Sequence, residues 1–443
     1  MLKTFAKGGV HPPENKLSAK QKIKDLPLPK SVTIPIGMHL GVPAKPIVSK
    51  GDDVKVGQLL AKGEGFVSAN IHSPFSGKVL KIDKALDTSG YKRDAIFLNV
   101  EGDEWLEEID RTDTLVSECR LGPQEIIHRI NDAGIVGLGG ATFPSHVKLT
   151  VPRGRKAEYL IINGVECEPY LTSDHALMLE KSEELMTGVN IMMRALKVNS
   201  AYIGIENNKP DAISRLGELT VKYPDIKVVP LKVKYPQGGE KQLVKAIINR
   251  EVPSGGLPID MGAVVFNVGT AFATYEAVQK NKPLIERVVT VTGKSLKTPA
   301  NFRVRIGTPV SALIEAVGGL PEDTGKIING GPMMGKALYD TNVPIVKGSS
   351  GILLMPVSES GRKPVEPCIR CSKCVSACPM GLEPYLLMVM AQKGLHERLE
   401  IDKVMDCIEC GSCSYICPSG RPLLDYIRLG KAEVGKIIRS RKK

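Results

Sequence analysis

The chain has 443 residues, a formal net charge of +12 at pH 7 and 42% hydrophobic residues. This length allows three or four domains of about 100 to 200 residues each, and the composition is typical of a globular protein. The sequence has no run of about 18 apolar residues, which excludes a membrane-spanning helix. Aromatic residues are sparse among the basic ones and no nucleic-acid motif occurs, so we expect no nucleic-acid partner.

The first 100 residues divide into a basic arm and a β-rich unit. Residues 1–28 are rich in Lys and Pro and show no hydrophobic period, so we expect an extended arm that wraps another surface. Between 29 and 100, short β-type runs alternate with Gly, Pro and Asp, which indicates a small all-β unit. Its patterns V-x-x-G-D-x-V-x-x-G-Q and S-P-F-S-G-K-V resemble the barrel-sandwich fold of the lipoyl and biotinyl family. Gly63-Glu-Gly-Phe-Val-Ser replaces that family's modified lysine, which indicates a docking module.

Residues 120–285 alternate predicted helices and apolar strands, which indicates an α/β domain with a parallel sheet. The glycine-rich stretch Gly137-Leu-Gly-Gly-Ala-Thr-Phe-Pro precedes a short predicted helix. Backbone amides at a helix N-terminus attract phosphate, so the stretch is either a phosphate loop or a glycine-rich turn. It does not match the common dinucleotide fingerprint, because Thr142 occupies the position of the last glycine.

Polar and glycine residues follow the predicted strands of this domain. Asn163, Glu166 and Glu168 come at or just after the end of an apolar run that begins at Tyr159. Ligand sites in open α/β sheets lie at the carboxyl ends of strands, so these side chains are candidates for contacts to a ring or ribose. The alternative for the two glutamates is an ordinary surface position. Gly238-Gly-Glu and Asn267-Val-Gly-Thr also precede predicted helices.

The last third of the chain contains two further predicted domains and a tail. Residues 286–345 form strands around one helix, which indicates a β-grasp unit in which Met333 and Met334 are core residues. Residues 356–430 combine the cysteine motifs with apolar helices, which favours an α-helical ferredoxin domain. Residues 431–443 form a basic tail.

Eight of the ten cysteines lie in two copies of C-x2-C-x2-C-x3-C-P, the bacterial pattern for two 4Fe-4S clusters. Three close thiolates of each copy hold one cluster, and the fourth thiolate holds the other cluster. One cluster is therefore predicted on Cys368, Cys371, Cys374 and Cys417, and the second on Cys378, Cys407, Cys410 and Cys413. Structural zinc would leave the repetition unexplained. The regular spacing and the absence of a secretory signal disfavour disulfides and favour a reducing cytoplasm.

The glycine-rich stretch at Gly137, Asn163-Gly-x-Glu-x-Glu-Pro, Gly238-Gly-Glu and Asn267-Val-Gly-Thr, in that order, resemble the flavin- and NADH-binding subunit of respiratory complex I. With the opening Gly8-Gly-Val-His-Pro-Pro-Glu, the β-grasp unit and the two cysteine motifs, nearly the whole chain is similar to the RnfC family, whose members are subunits of the Rnf complexes. Those complexes are the ion-pumping ferredoxin:NAD oxidoreductases of bacteria.

The resemblance implies positions for FMN and NAD(H). The residues implied near the FMN phosphate are Gly137, Gly139, Gly140, Ala141, Lys148, Asn267 and Thr270. Those implied on the isoalloxazine and nicotinamide side are Phe143, Asn163, Glu166, Glu168, Gly238, Gly239 and Glu240. The complex I pattern has glycines where this chain has Thr142 and His146, and an acid where it has Lys241.

The resemblance also implies a function. A flavin exchanges hydride with NAD(H) and single electrons with iron-sulfur clusters, so no catalytic side chain is expected. The expected protein is a peripheral subunit on the cytoplasmic face of the cell membrane. Its partners would be integral membrane subunits that translocate Na+ or H+, an iron-sulfur subunit and, indirectly, ferredoxin. The alternatives are a flavin and iron-sulfur cobalamin reductase of a microcompartment and a cluster-bearing adaptor without flavin.

Overall fold

The computed structural model describes residues 2–441. The N-terminal arm is extended and lies along the rest of the chain. Val10 exchanges two backbone hydrogen bonds with Tyr235, of 2.8 and 2.9 Å, and strand β1 (Ile23–Asp25) adds in parallel to the edge of a later sheet. The surface that the arm wraps is therefore this chain's own surface. Met1, which belongs to the predicted arm, lies outside the described residues.

Two small antiparallel sheets follow the arm. Their strands are β2 (Ser31–Pro35), β3 (Lys45–Pro46), β4 (Asp53–Val54), β5 (Leu59–Lys62), β6 (Ile71–His72), β7 (Gly77–Leu86) and β8 (Lys92–Val100). One sheet has the order β2–β8–β7–β4 and the other has the order β3–β5–β6. Buried Ile34, Leu60 and Phe75 belong to the core between them, as expected for a barrel sandwich.

The α/β domain alternates strands and helices, as predicted. Its elements are α1 (Pro123–Asp132), α2 (Ser145–Leu149), β9 (Tyr159–Asn163), α3 (Ser173–Glu180), α4 (Ser182–Leu196), β10 (Ala201–Glu206), α5 (Pro210–Leu219), β11 (Ile226–Leu231), α6 (Glu240–Ile248), β12 (Ala263–Asn267) and α7 (Val268–Gln279), with a 3-10 helix at Pro258–Met261. The predicted parallel sheet is confirmed, because β9–β12 pair in parallel in the order β11–β10–β9–β12.

The strand order of this sheet reverses at β9. The chain first adds β10 and β11 on one side of β9 and then returns to place β12 on the other side. Asn163 and Asn267 end these two neighbouring strands and are paired in register. Such a switch point opens a crevice at the carboxyl ends of the strands, where ligands of open α/β sheets bind.

The next sheet is the β-grasp unit. Its elements are β13 (Glu286–Thr292), β14 (Ala300–Arg305), α8 (Val310–Ala316), β15 (Thr324–Asn329), β16 (Lys336–Ala337), β17 (Gly351–Pro356) and α9 (Val357–Ser360). The sheet order is β1–β14–β13–β17–β15–β16. The predicted boundary at 345 cuts this sheet, because β17 lies at its centre and buries Ile352 and Leu354 in the shared core. A short apolar run of this kind has no periodicity that assigns it to a strand.

The C-terminal domain is helical, as predicted. Its helices are α10 (Lys373–Ala377), α11 (Pro384–Gln392), α12 (His396–Ile401), α13 (Ser412–Ile416) and α14 (Leu423–Arg441), with a 3-10 helix at Val404–Asp406. Leu387, Leu399 and Ile427 form part of their core. Residues 431–441 of the predicted tail continue α14, whereas Lys442 and Lys443 lie outside the described residues. None of the helices in residues 2–441 is both long and apolar enough to cross a membrane.

Candidate functional site

The glycine-rich loop between α1 and α2 lies against the end of β12. The amide of Leu138 donates to Oγ1 of Thr270 at 3.0 Å. A methyl group on Gly139 would lie 2.8 Å from Cβ of Asn267, whereas a methyl group on Gly140 would meet nothing within 4 Å. The loop therefore approaches Asn267 so closely that only glycine fits at 139.

The loop has donors that suit an anion. Gly139 and Gly140 are exposed, and within residues 2–441 their amides donate to no protein acceptor. Helix α7 begins beside the loop and adds the positive end of its dipole. Oδ1 of Asn267 accepts from the amide of Gly269 at 2.8 Å and caps this helix. The donor set fits the phosphate of FMN.

A half-exposed ion pair and a second glycine-rich segment line the same crevice. The ammonium of Lys148 donates to Oε1 of Glu240 at 2.6 Å and to the carbonyl of Val265 at 2.8 Å. The side-chain amide of Asn163 donates to the carbonyl of Gly238 at 2.8 Å. Lys148 and Glu240 come from helices α2 and α6, so the tertiary fold brings together candidates from both.

The two predicted glutamates bind backbone amides of this chain. The carboxylate of Glu166 accepts from the amides of Asp174 and His175, at 2.8 and 3.1 Å, in the first turn of α3. The carboxylate of Glu168 accepts from the amides of Met333 and Met334, at 3.1 and 2.8 Å, in the β-grasp unit. Burial raises the pKa of Glu168 to about 7, and the two amides oppose that rise. Neither glutamate is an ordinary exposed surface residue. Met334 is 45% exposed, so the prediction that it is a core residue is wrong.

Lys16 of the arm holds the segment that carries these glutamates. Its ammonium donates to the carbonyls of Glu166, Glu168 and Leu171, at 2.8, 2.9 and 2.7 Å. Burial lowers the pKa of Lys16, and the negative charge of Glu166 opposes this change. Sequence reasoning missed Lys16, because nothing in the local pattern of the arm indicates a partner more than 100 residues away.

Half-buried Asp174 and buried Arg287 support the glycine-rich loop and its neighbour Asn267. The carboxylate of Asp174 accepts from Nδ2 of Asn267 at 2.6 Å. Burial, reinforced by the charge of Glu166, raises the pKa of Asp174 to about 7. The guanidinium of Arg287, on β13, donates to the carbonyl of Leu138 at 3.2 Å. The β-grasp unit thus contributes to the shape of the loop, which the sequence did not predict.

One loop residue has a mainly structural contact. The carbonyl of Phe143 accepts from the amide of Gly137 at 2.8 Å and closes the glycine-rich loop. Its side chain is half-buried, while the neighbouring Ala141 is exposed. The predicted loop residues from 137 to 143 therefore form one continuous turn at the mouth of the crevice.

Four cysteines surround one cavity in the helical domain. The cavity is lined by Cys378 from the first motif and by Cys407, Cys410 and Cys413 from the second. These are the four residues predicted to share a cluster. Burial raises the pKa of Cys407 to about 11 and also raises the pKa of Cys413, with the neighbouring thiols adding to the effect at Cys413. Coordination to the iron ions of a cluster would stabilise the thiolate form, which burial disfavours in the free cysteines.

The other four cysteines are more open. Cys374 and Cys417 are half-buried, whereas Cys368 and Cys371 are exposed. Burial raises the pKa of Cys374, and the nearby Cys417 contributes to the rise, so residues from both motifs meet here as well. Across residues 2–441, no three His, Cys, Asp or Glu side chains converge closely enough to hold a single metal ion.

The helical domain packs directly on the N-terminal arm and on the α/β domain. Val10, Tyr235, Ala377 and Cys410 form one buried cluster, and Cys167 packs against it. Cys167 is therefore a half-buried packing residue. Because Tyr235 begins the segment that contains Gly238, and Cys410 lines the cysteine cavity, this packing connects the second glycine-rich segment to the cluster domain.

Family models match most of the chain in the order of these domains. They are the RnfC barrel sandwich hybrid domain over residues 3–103, the Nuo51 FMN-binding domain over 130–276, the SLBB domain over 288–337 and the 4Fe-4S dicluster domain over 360–418. The FMN-binding and dicluster matches support the predictions of FMN and iron-sulfur clusters. The SLBB match corresponds to the predicted β-grasp unit.

Two curated relatives match nearly end to end. The chain is 48% identical to a subunit of the proton-translocating ferredoxin:NAD(+) oxidoreductase complex of Clostridium ljungdahlii, over 98% of this chain and 94% of the relative. It is 42% identical to the corresponding subunit of the Na(+)-translocating ferredoxin:NAD(+) oxidoreductase complex of Acetobacterium woodii, over 97% of this chain and 96% of the relative.

A solved structure shares part of the fold. A chain of the NAD+-reducing [NiFe]-hydrogenase, in its H2-reduced state, superimposes with a TM-score of 0.50 at 18% identity, over 70% of this chain and 62% of the other. From the domain order and the two end-to-end relatives together, the chain belongs to the RnfC family, the subunits of ion-translocating ferredoxin:NAD(+) oxidoreductase complexes of the Rnf type.

Proposed function

We propose that the chain is the peripheral electron-transfer subunit of an Rnf-type complex, which passes electrons between NAD(H), FMN and two 4Fe-4S clusters. The observation that carries the proposal is the packing of Tyr235, which begins the segment with Gly238, against Cys410, which lines the cavity of four cysteines. Bound FMN would supply the change from two-electron to one-electron chemistry. No side chain needs to act as a catalytic acid or base.

The crevice residues have binding and positioning roles in this proposal. The exposed amides of Gly139 and Gly140 donate to the FMN phosphate, while Thr270 and Asn267 fix the loop. Lys148 is held beside Val265 and Glu240 and supplies positive charge. Asn163 fixes Gly238 and thereby the second glycine-rich segment.

The remaining predicted residues support the loop, the neighbouring segments or the nicotinamide side of the crevice. Glu166 and Glu168 shape the flavin-side segment through their backbone contacts. Phe143 and Glu240 face the nicotinamide nucleotide, with Gly239 allowing close approach. Gly137 and Ala141 complete the phosphate loop.

The two clusters occupy the C-terminal domain. The buried set, Cys378, Cys407, Cys410 and Cys413, holds the cluster next to the flavin domain. The more exposed set, Cys368, Cys371, Cys374 and Cys417, holds the second cluster, which faces outward. In this arrangement, the outer cluster exchanges electrons with another subunit of the complex.

The partners follow from the family. We infer integral membrane subunits and an iron-sulfur subunit as partners, with ferredoxin as an indirect electron donor, at the cytoplasmic face of the membrane. Ion movement belongs to those partners. Relatives named for protons and for Na+ both match this chain, so either ion is compatible with its sequence.

Anaerobic purification tests the proposal. We expect about eight irons per chain together with one FMN, and we expect NADH to bleach the flavin absorbance. Iron without flavin would favour the cluster-bearing adaptor. Flavin reduction followed by fast electron transfer to cobalamin, without co-purifying membrane proteins, would favour the cobalamin reductase.

A further inference from the structure

An aromatic side chain of the barrel sandwich stands beside the glycine-rich loop. Phe66 lies in the connection between β5 and β6, the same tip that carries a modified lysine in the lipoyl and biotinyl family. The side chain is 61% exposed. A single exposed aromatic is common on protein surfaces, but the backbone of Phe66 is held against the glycine-rich loop.

The barrel sandwich binds the loop on both sides of Phe143. On one side, the amide of Leu40 donates to the carbonyl of Thr142 at 3.2 Å. On the other side, Nε2 of His146 donates to the carbonyl of Phe66 at 3.0 Å. The rings of Phe66 and His146 meet edge to face, with their centroids 6.1 Å apart. Phe66 is thus held at the edge of the loop, by a residue that follows Phe143 closely in the chain.

The connection between β5 and β6 that carries Phe66 is held in place by contacts within the barrel sandwich. The amide of Val42 donates to the carbonyl of Val67 at 3.0 Å, and the hydroxyl of Ser68 donates to the carbonyl of Val42 at 2.7 Å. Gly41 has a φ of +106°, and a methyl group there would lie 2.0 Å from the carbonyl oxygen of Val67. An aromatic ring held in this way loses little conformational entropy when a ligand binds.

One of these contacts explains a departure from the complex I pattern. Thr142 and His146 both replace glycines of that pattern and both bind the barrel sandwich, but Thr142 uses its backbone carbonyl, which a glycine would also offer. His146 uses its imidazole, so a loop with glycine at 146 would not hold Phe66. The substitution at 146 therefore couples the loop to an additional domain and holds an aromatic ring beside it.

We propose that Phe66 forms a wall of the dinucleotide site and stacks on a planar ring of NAD(H). This inference rests on the proposed function, because it concerns the same crevice. Aromatic side chains stack readily on the flat faces of nucleotide bases. The barrel sandwich then contributes directly to substrate affinity, in addition to packing.

The test compares Phe66→Ala with Tyr91→Ala in the full-length protein loaded with FMN and clusters. Tyr91 is a matched control, since it is an aromatic of the same domain with 64% exposure. For Phe66→Ala we expect the KM for NADH to rise about 5- to 100-fold, with kcat and FMN content unchanged. Phe66→Trp should restore the wild-type KM, and Tyr91→Ala should leave it unchanged.

A binding measurement supplies a readout apart from turnover. The Kd for NADH, from its fluorescence on dithionite-reduced protein, should rise in parallel with the KM in Phe66→Ala. Inhibition by ADP-ribose then identifies the ring: a weaker Ki in Phe66→Ala indicates the adenine, and an unchanged Ki indicates the nicotinamide.

Two results separate the failure of this inference from the failure of the proposed function. Unchanged KM and Kd in Phe66→Ala, or an equal rise in Tyr91→Ala, would overturn the stacking role while leaving NADH oxidation intact. A wild-type protein that carries FMN but neither binds nor oxidises NADH would overturn both.

Discussion

The hydroxyl of Tyr235 donates a hydrogen bond of 2.7 Å to the backbone carbonyl of Cys410. Tyr235 is only 2% exposed and begins the glycine-rich segment of the flavin domain, while Cys410 lines the cavity of the buried cysteine set. The carboxylate of Glu168 lies 3.5 Å from the same hydroxyl. This contact joins the two halves of the proposed electron path directly.

Tyr235→Phe should change the inner cluster without removing it. The variant leaves the carbonyl of Cys410 unsatisfied in a buried site, which costs about 1–3 kcal/mol of unfolding free energy. The O–H dipole that is lost points its positive end at the backbone carbonyl of Cys410, whose thiolate is a predicted cluster ligand, so its removal should lower the cluster's reduction potential. Potentiometric EPR measures the shift. Tyr170→Phe, whose hydroxyl faces Glu359 instead, is the control, and an equal shift in that control would contradict the prediction.

Alanine substitutions at two glycines should separate FMN binding from folding. Gly139→Ala places a methyl group 2.8 Å from Cβ of Asn267, whereas Gly217→Ala, in helix α5, meets nothing within 4 Å. We therefore expect Gly139→Ala to lose most of its FMN and Gly217→Ala to keep it, with both retaining iron. Flavin released by acid and quantified by fluorescence gives the ratio of FMN to protein. Wild-type FMN content in Gly139→Ala would contradict the role of the loop in binding the phosphate.

Cysteine substitutions should reveal the exchange of ligands between the two motifs. Cys413→Ala and Cys378→Ala come from different motifs but line the same cavity, so each should lower iron from about eight to about four per chain and remove the same EPR signal. Cys374→Ala should remove the other signal. Cys119→Ala serves as the control, because Cys119 packs in the core of the N-terminal half. Different signals lost in Cys413→Ala and Cys378→Ala would contradict the assignment.

Stability should rise with pH above neutrality because of Lys347. Its ammonium donates to the carbonyls of Asn70 and Gly134, both at 2.7 Å, and burial lowers its pKa from 10.5 to about 7. Between these values the unfolded chain binds a proton that the folded chain does not, so unfolding free energy increases by at most about 1.4 kcal/mol per pH unit.

The neighbouring histidines do not interfere in this window. Burial lowers the pKa of His72 to about 3, and it also lowers the pKa of His39. Denaturant titrations from pH 7 to 10 should therefore show a stability difference between wild type and Lys347→Met that grows with pH. The exposed Lys20→Met variant should show a constant difference. A flat difference for Lys347→Met would contradict the lowered pKa.

Local sequence patterns were sufficient to predict several features of this protein. The strand from Tyr159 to Asn163 was predicted, because a short apolar run that ends at turn residues such as Asn-Gly is typical of a buried parallel strand. The cysteine spacing also predicted which residue of the first motif would join the second, since the fourth cysteine of this pattern ligates the cluster of the other triplet. In both cases the pattern that supports the prediction lies within short segments of the sequence.

Tertiary packing decided the contacts between distant segments. Lys16 meets the carbonyl of Glu166 across 150 positions, and Tyr235 meets Cys410 across 175. Strand β17 lies between β13 and β15, where it pairs with the edges of both strands. No periodicity or motif encodes such pairings, because they depend on which surfaces remain unpaired after each domain has formed.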